Sequence, residues 1–224
     1  MVVKPRRVMY PTEDGKPFSE SDWHYEAMTG TLTALEIHFA DRSDVYASAN
    51  NFVYWEQGNP KARIAPDVYV VFGVPGYLRD CYMAWNEGGH LPSFILEATS
   101  RKTRHHDMKK KLPLYEQVFK TQECFFFDPK GDYLRPRLQG YRLTDGHYER
   151  LEPVNGRLYS EQLGLDFVQE GEYLRLFDPQ KDCFLPSPRV DLRRTRKATV
   201  ALRAAEAEIT RLRAELEAFR NRNT

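Results

Sequence analysis

Three charged residues carry the chemistry this chain could perform. They are Asp67 in Ala65-Pro66-Asp67, Glu97 in Phe94-Ile95-Leu96-Glu97, and Lys111 in Asp107-Met108-Lys109-Lys110-Lys111. The two acids sit at the polar ends of apolar runs, Val68-Tyr69-Val70-Val71-Phe72 and Ser93-Phe94-Ile95-Leu96, which read as buried strands. A carboxylate at the edge of a buried strand costs desolvation energy unless positive charge lies beside it. Two such carboxylates on neighbouring strands, with a lysine nearby, suggest a site for Mg2+ or Mn2+, which take hard oxygen ligands and keep several waters. A metal held this way can activate water and stabilise a charged phosphate transition state, and a lysine can hold the scissile phosphate. Two acids, a lysine and a metal suffice in kind for phosphodiester hydrolysis. The plainer alternatives are a Glu97 salt-bridged to an arginine and a Lys109-Lys110-Lys111 run that is a solvated helix face.

The elements that must position these residues follow from pattern. Residues 1–18, with Pro5, Pro11, Gly15 and Pro17, read as an arm. Ser19-Glu20-Ser21-Asp22 offers N-caps, and Met28, Leu32, Leu35 and Phe39 recur at helical spacing, predicting a helix from about 20 to 40. Val45-Tyr46-Ala47-Ser48 and Phe52-Val53-Tyr54-Trp55 predict a hairpin about Asn50-Asn51. The Asp67 and Glu97 strands follow, then a basic helix from about 104 to 120, which Pro113 should kink or restart, then a strand at Glu123-Cys124-Phe125-Phe126-Phe127. Residues 132–186 predict a β-meander turning at Asp145-Gly146 and Asn155-Gly156. The order predicts an α+β fold with an α/β-like core and a mixed sheet, in one domain over 19–190. Leu202, Ala205, Ile209, Leu212, Leu216 and Phe219 step by three and four, so residues 196–222 predict an amphipathic or coiled-coil helix, partnered by another helix or packed on its own domain.

Composition bounds the function. The 224 residues are 41% hydrophobic with a net charge of only +1, so nucleic-acid affinity must come from a local basic patch. Three scattered cysteines, Cys81, Cys124 and Cys183, argue against a disulfide framework or zinc cluster and fit a reducing cytoplasm. No apolar stretch approaches membrane-spanning length, and Met1 to Arg7 is not followed by the apolar core of a signal peptide.

Taken in order, Ala65-Pro66-Asp67-Val68, Leu96-Glu97-Ala98-Thr99-Ser100, Thr103-Arg104, Asp107 with Lys111, Leu114-Tyr115 and Phe127-Asp128-Pro129 resemble the Uma-type family of candidate restriction endonucleases, within the PD-(D/E)XK nuclease superfamily. Gly58-Asn59-Pro60, Leu138-Gln139-Gly140-Tyr141 and Leu163-Gly164-Leu165 extend the likeness, which spans roughly residues 10–190. The resemblance implies a restriction-endonuclease-like sheet, DNA as substrate and a divalent metal held by Asp67 and Glu97. Thr99 stands where the superfamily has lysine. The Uma-type pattern moves that lysine to the following helix, which Lys111 matches, with Lys109 and Lys110 as rivals.

Other residues are secondary candidates. Asp107 shares a helix face with Lys111 and could orient it, or form a plain surface pair. Glu36 could supply a third carboxylate, as N-terminal helix acids do in some superfamily members. His24 reads as a cap or packing residue, and His105 and His106 as exposed. Arg101, Lys102, Arg104, Lys109 and Lys110 would form the basic patch on the DNA backbone, or a solvated face. A C2 homodimer would let both strands be cut. The competing function is a non-catalytic interaction protein on a nuclease-like scaffold, associating through its C-terminal helix.

Overall fold

The computed structural model describes residues 8–13, 15, 21–101 and 103–222. The predicted arm at 1–18, the cap candidates Ser19 and Glu20, and Lys102 therefore lie wholly or largely outside the described residues. Helix α1 (Asp22–His38) starts where Ser21 accepts a hydrogen bond from the His24 N–H. Strands β1 (Val45–Ser48), β2 (Val53–Tyr54), β3 (Arg63–Ile64), β4 (Val68–Phe72) and β5 (Tyr82–Met83) lead to β6 (Phe94–Ala98). A helix over 104–119, α2, connects β6 to β7 (Glu123–Phe127). Strands β8 (Leu138–Thr144), β9 (His147–Arg150), β10 (Arg157–Ser160), β11 (Leu165–Glu170), β12 (Tyr173–Asp178) and β13 (Cys183–Phe184) complete the β structure, and α3 (Pro188–Arg222) follows.

The main sheet runs β1-β4-β6-β7-β8-β9. Only β6 and β7 are parallel within it, as the α2 crossover requires; the other pairs are antiparallel. Both faces of its central strands are buried, so they read as continuous apolar runs. Val68, Val70, Phe94, Leu96, Phe125 and Phe127 face one core, which α1 and the β10–β13 sheet cover with Met28, Leu35, Leu165 and Phe167. Tyr69, Val71, Ile95, Cys124 and Phe126 face the other, under Tyr115 and Phe119 of α2. The period-two alternation thus splits the run Phe125-Phe126-Phe127 between two cores.

Two expectations are corrected. The hairpin joining 45–48 to 52–55 does not form: β1 pairs with β4, in register Val45↔Phe72 to Ser48↔Tyr69, and β2 joins β3 and β5 in a separate small sheet. The apolar edge of β4 gives β1 a longer partner than two-residue β2 can. The Asn51 amide is used instead as a clasp, its oxygen accepting from Tyr69 Oη at 2.7 Å. The meander over 132–186 is also divided. Strands β8 and β9 extend the main sheet, turning at Asp145-Gly146 where both φ angles are positive, while β10–β13 form their own antiparallel sheet. Buried Glu123 ties the two sheets together, pairing with Arg142 at 2.8 Å and accepting from the Glu161 N–H at 3.0 Å and the Ser160 hydroxyl.

At Pro113 the helix changes type, as a restart requires: a short α-helical turn, Leu112–Leu114, carries the proline in its first positions. The missing N–H of Pro113 is accommodated by π-helical turns on either side, Asp107–Lys111 and Tyr115–Phe119. Lys120, in the left-handed region at φ 54°, closes the helix. The chain divides into two compact units, Met1–Pro186 and Ser187–Thr224.

Candidate active site

Parity along the strands determines where the acids point. Glu97 lies two residues beyond Ile95 on β6, so its side chain shares the face that α2 covers. Asp67 lies two before Tyr69, at the mouth of β4 on that same parity. On α2, Asp107, Lys111, Tyr115 and Phe119 recur every fourth residue and all are buried, while Lys109 and Lys110 are exposed. Spacing by four therefore selects Lys111 among the three consecutive lysines.

The side chains meet in a closed set of hydrogen bonds. Lys111 Nζ donates to Glu97 Oε2 at 2.6 Å and to the Ala65 carbonyl at 3.4 Å. Tyr115 Oη donates to Glu97 Oε1 at 2.6 Å. Asp67 Oδ2 accepts from the Ala98 N–H at 2.8 Å, tying the end of β4 to the end of β6. Its Oδ1 lies 3.3 Å from His24 Nε2, brought in by the first turn of α1. Asp107 Oδ1 stands 4.0 Å from Lys111 Nζ, and its Oδ2 accepts from the Thr99 hydroxyl at 2.7 Å. Thr99 in turn accepts from Tyr133 Oη. Tyr133 is set by Asp128, whose carboxylate accepts from the Gly131, Tyr133 and Leu134 N–H groups at 2.9–3.0 Å.

One ammonium thus faces three carboxylates in a largely buried setting. Burial works against the Lys111 charge, yet Glu97, Asp67 and Asp107 together hold its ammonium well above its ordinary value. Burial, with Asp67 and Asp107 adding, pushes Glu97 up to about 8 against the pull of Lys111. Burial also opposes ionisation of Asp67, but Lys111, His24 and the Ala98 N–H outweigh it and hold that carboxyl below its usual range. Burial and the neighbouring Glu97 push the Tyr115 phenol up.

The structure brings Asp67, Glu97, Lys111, Thr99 and Asp107 into one cluster, and it adds His24, which sequence reasoning assigned to packing. A histidine two residues into a capped helix carried no signal of its partner, because the contact is set by how α1 crosses the sheet. Glu36 is corrected: it is exposed near the far end of α1, twelve residues or ~18 Å of helix rise from His24. It is the first turn of that helix, through His24, that meets Asp67. Arg104, Lys109 and Lys110 are exposed, and Arg101 donates to the Asp132 carbonyl at 2.8 Å.

Among the described residues, no group of three or more His, Cys, Asp or Glu side chains is arranged to hold a metal ion. The donor chemistry of Asp67 and Glu97 nevertheless suits a hard cation. Both are carboxylates, each oxygen keeps a further lone pair beside its present partner, and Mg2+ takes as few as one or two protein carboxylates.

No curated protein matches this chain. A solved structure described as a "putative nuclease belonging to DUF820" from Anabaena variabilis is similar at 13% identity and a TM-score of 0.47, covering 68% of this chain and 81% of that one. Residues 8–170, which contain every member of the cluster around Glu97, match the family Uma2, described as "Putative restriction endonuclease". That match spans most of the sequence, and the chain belongs to this nuclease family.

Proposed function

We propose that the protein is a metal-dependent endonuclease that hydrolyses DNA phosphodiester bonds, with Asp67 and Glu97 holding Mg2+ or Mn2+ and Lys111 serving the phosphate. The observation that carries this reading is the contact of Lys111 Nζ with Glu97 Oε2 at 2.6 Å, made across from a helix rather than from the acid's own strand. A divalent cation at the two acids would lower the pKa of a bound water and offset phosphate charge.

The chain's own groups then have defined tasks. Tyr115 holds Glu97 by one oxygen and leaves the other to Lys111. His24 and the Ala98 N–H fix the Asp67 carboxylate. The Tyr133–Thr99–Asp107 chain holds a carboxylate 4.0 Å from the Lys111 ammonium, which can then turn from Glu97 to a phosphate oxygen while keeping that carboxylate near. Thr99 thus acts as a positioning residue where other superfamily members place the lysine. Exposed Arg104, Lys109 and Lys110 take neighbouring phosphates along the backbone, a contact without sequence information. Lys102 lies outside the described residues. One site cuts one strand, so cleavage of duplex takes two subunits.

Calorimetric titration of Mn2+ tests the metal assignment, using Asp67→Asn and Glu97→Gln to keep side-chain shape. Binding to the wild type that is lost in both variants supports the reading. Binding that survives both substitutions contradicts it.

A further inference from the structure

We propose that residues 202–222 pair with the same segment of a second copy as a parallel, in-register, two-stranded coiled coil. Helix α3 (Pro188–Arg222) is 35 residues long. Its seam, Leu202, Ala205, Ile209, Leu212, Leu216 and Phe219, alternates the a and d positions of a heptad. Leu202, Ile209, Leu212 and Leu216 are 59%, 49%, 50% and 51% exposed, and over 202–222 the positions off the seam are mostly charged or alanine. Such a helix draws its stability from burying its apolar stripe. Ile209 at a with Leu212 at d is the combination that favours two parallel strands.

Charge identifies the occupant and its direction. In this register Glu208 and Glu215 occupy g positions, and Arg213 and Arg220 the e positions five residues on. Parallel, in-register pairing sets Glu208 against Arg213 of the second copy, and the same again by symmetry, and the sequence repeats that complement one heptad on, at 215 and 220. Antiparallel pairing about the middle of the seam would set Glu208 against Glu215. Within one helix, Arg211 meets Glu208 at 2.7 Å and Glu215 at 3.7 Å. Arg211 is at the outer c position, and these solvent-exposed pairs exchange partners at little cost. The sequence is thus complementary to itself in one orientation. This inference stands apart from the nuclease reading, because pairing needs neither metal nor DNA.

Light scattering of the full chain, with and without Ile209→Asp plus Leu212→Asp, tests the seam. The wild type is expected at about twice the 26.2 kDa chain mass, and the variant at one chain mass with the thermal transition of the nuclease unit retained. Charge reversal tests orientation. Glu208→Arg with Glu215→Arg weakens dimerisation about tenfold or more, and adding Arg213→Glu with Arg220→Glu restores it. A wild type of single mass, which includes a helix folded back on its own domain, overturns the proposal. So does a dimer indifferent to the seam substitutions, or a charge reversal that the compensating pair fails to rescue.

Discussion

Lys111 Nζ and Glu97 Oε2 lie 2.6 Å apart, with side chains 11% and 1% exposed, joining α2 to β6 across the site. Breaking a buried pair by removing one partner costs about 3–5 kcal/mol, because the other charge is left uncompensated. Glu97 can escape part of that cost by taking a proton. Lys111→Met is therefore expected to destabilise the fold by about 3–5 kcal/mol in alkaline buffer and by less in acid. Pairing it with Glu97→Gln should recover part of the loss. Urea unfolding of the single and double variants at two pH values checks this.

Protonation of Glu97 also gives the site a pH signature. Its pKa is raised in the fold from 4.5 to about 8, so the folded chain keeps a proton that the unfolded chain has released. The corresponding stability is fully present below 4.5 and is lost as pH rises through about 8. The stability difference between wild type and Glu97→Gln should thus shift against the wild type across that window. Saturating Mn2+, which competes with the proton, should flatten the shift. Thermal melts of both proteins, with and without metal, measure it.

His24 touches Asp67 from α1 and should act through it. Outer partners of metal-binding residues typically tune affinity by about 10–100-fold. His24→Ala is expected to weaken Mn2+ binding by roughly that factor while the fold persists, and His24→Gln, which keeps a donor near Asp67 Oδ1, should retain more of it. Calorimetry on the two variants separates orientation from packing.

The sheet beneath the site is tightly packed at Gly140 of β8. A Cβ there would come within 3.0 Å of Phe125 Cε1 and 3.1 Å of Leu151 Cδ1. Gly140→Ala is expected to cost about 1–3 kcal/mol through overpacking, read as a lower urea midpoint.

The strands bearing Asp67 and Glu97 were legible because β4 and β6 are buried on both faces and so stand out as short apolar runs. The inward face of α2 was legible only in part: Asp107, Lys111, Tyr115 and Phe119 share a spacing of four, but Lys109-Lys110-Lys111 alone offers three equal candidates. What the sequence could not convey was pairing at a distance. Asn50-Asn51 promises a local hairpin, yet β1 finds β4 some twenty residues on, where the longer apolar edge lies. His24 and Tyr133 reach the site through the docking of α1 and the Asp128 turn, neither of which leaves a mark in local spacing.

The central claim is tested most directly by incubating supercoiled DNA with the purified protein and Mg2+, beside Asp67→Asn, Glu97→Gln and Lys111→Gln. Nicked or linear DNA from the wild type, abolished by chelation and by each acid substitution and sharply reduced by Lys111→Gln, is the predicted result. Cleavage that persists unchanged in the folded acid variants, or an inert wild type that binds Mn2+ and DNA together, would contradict it.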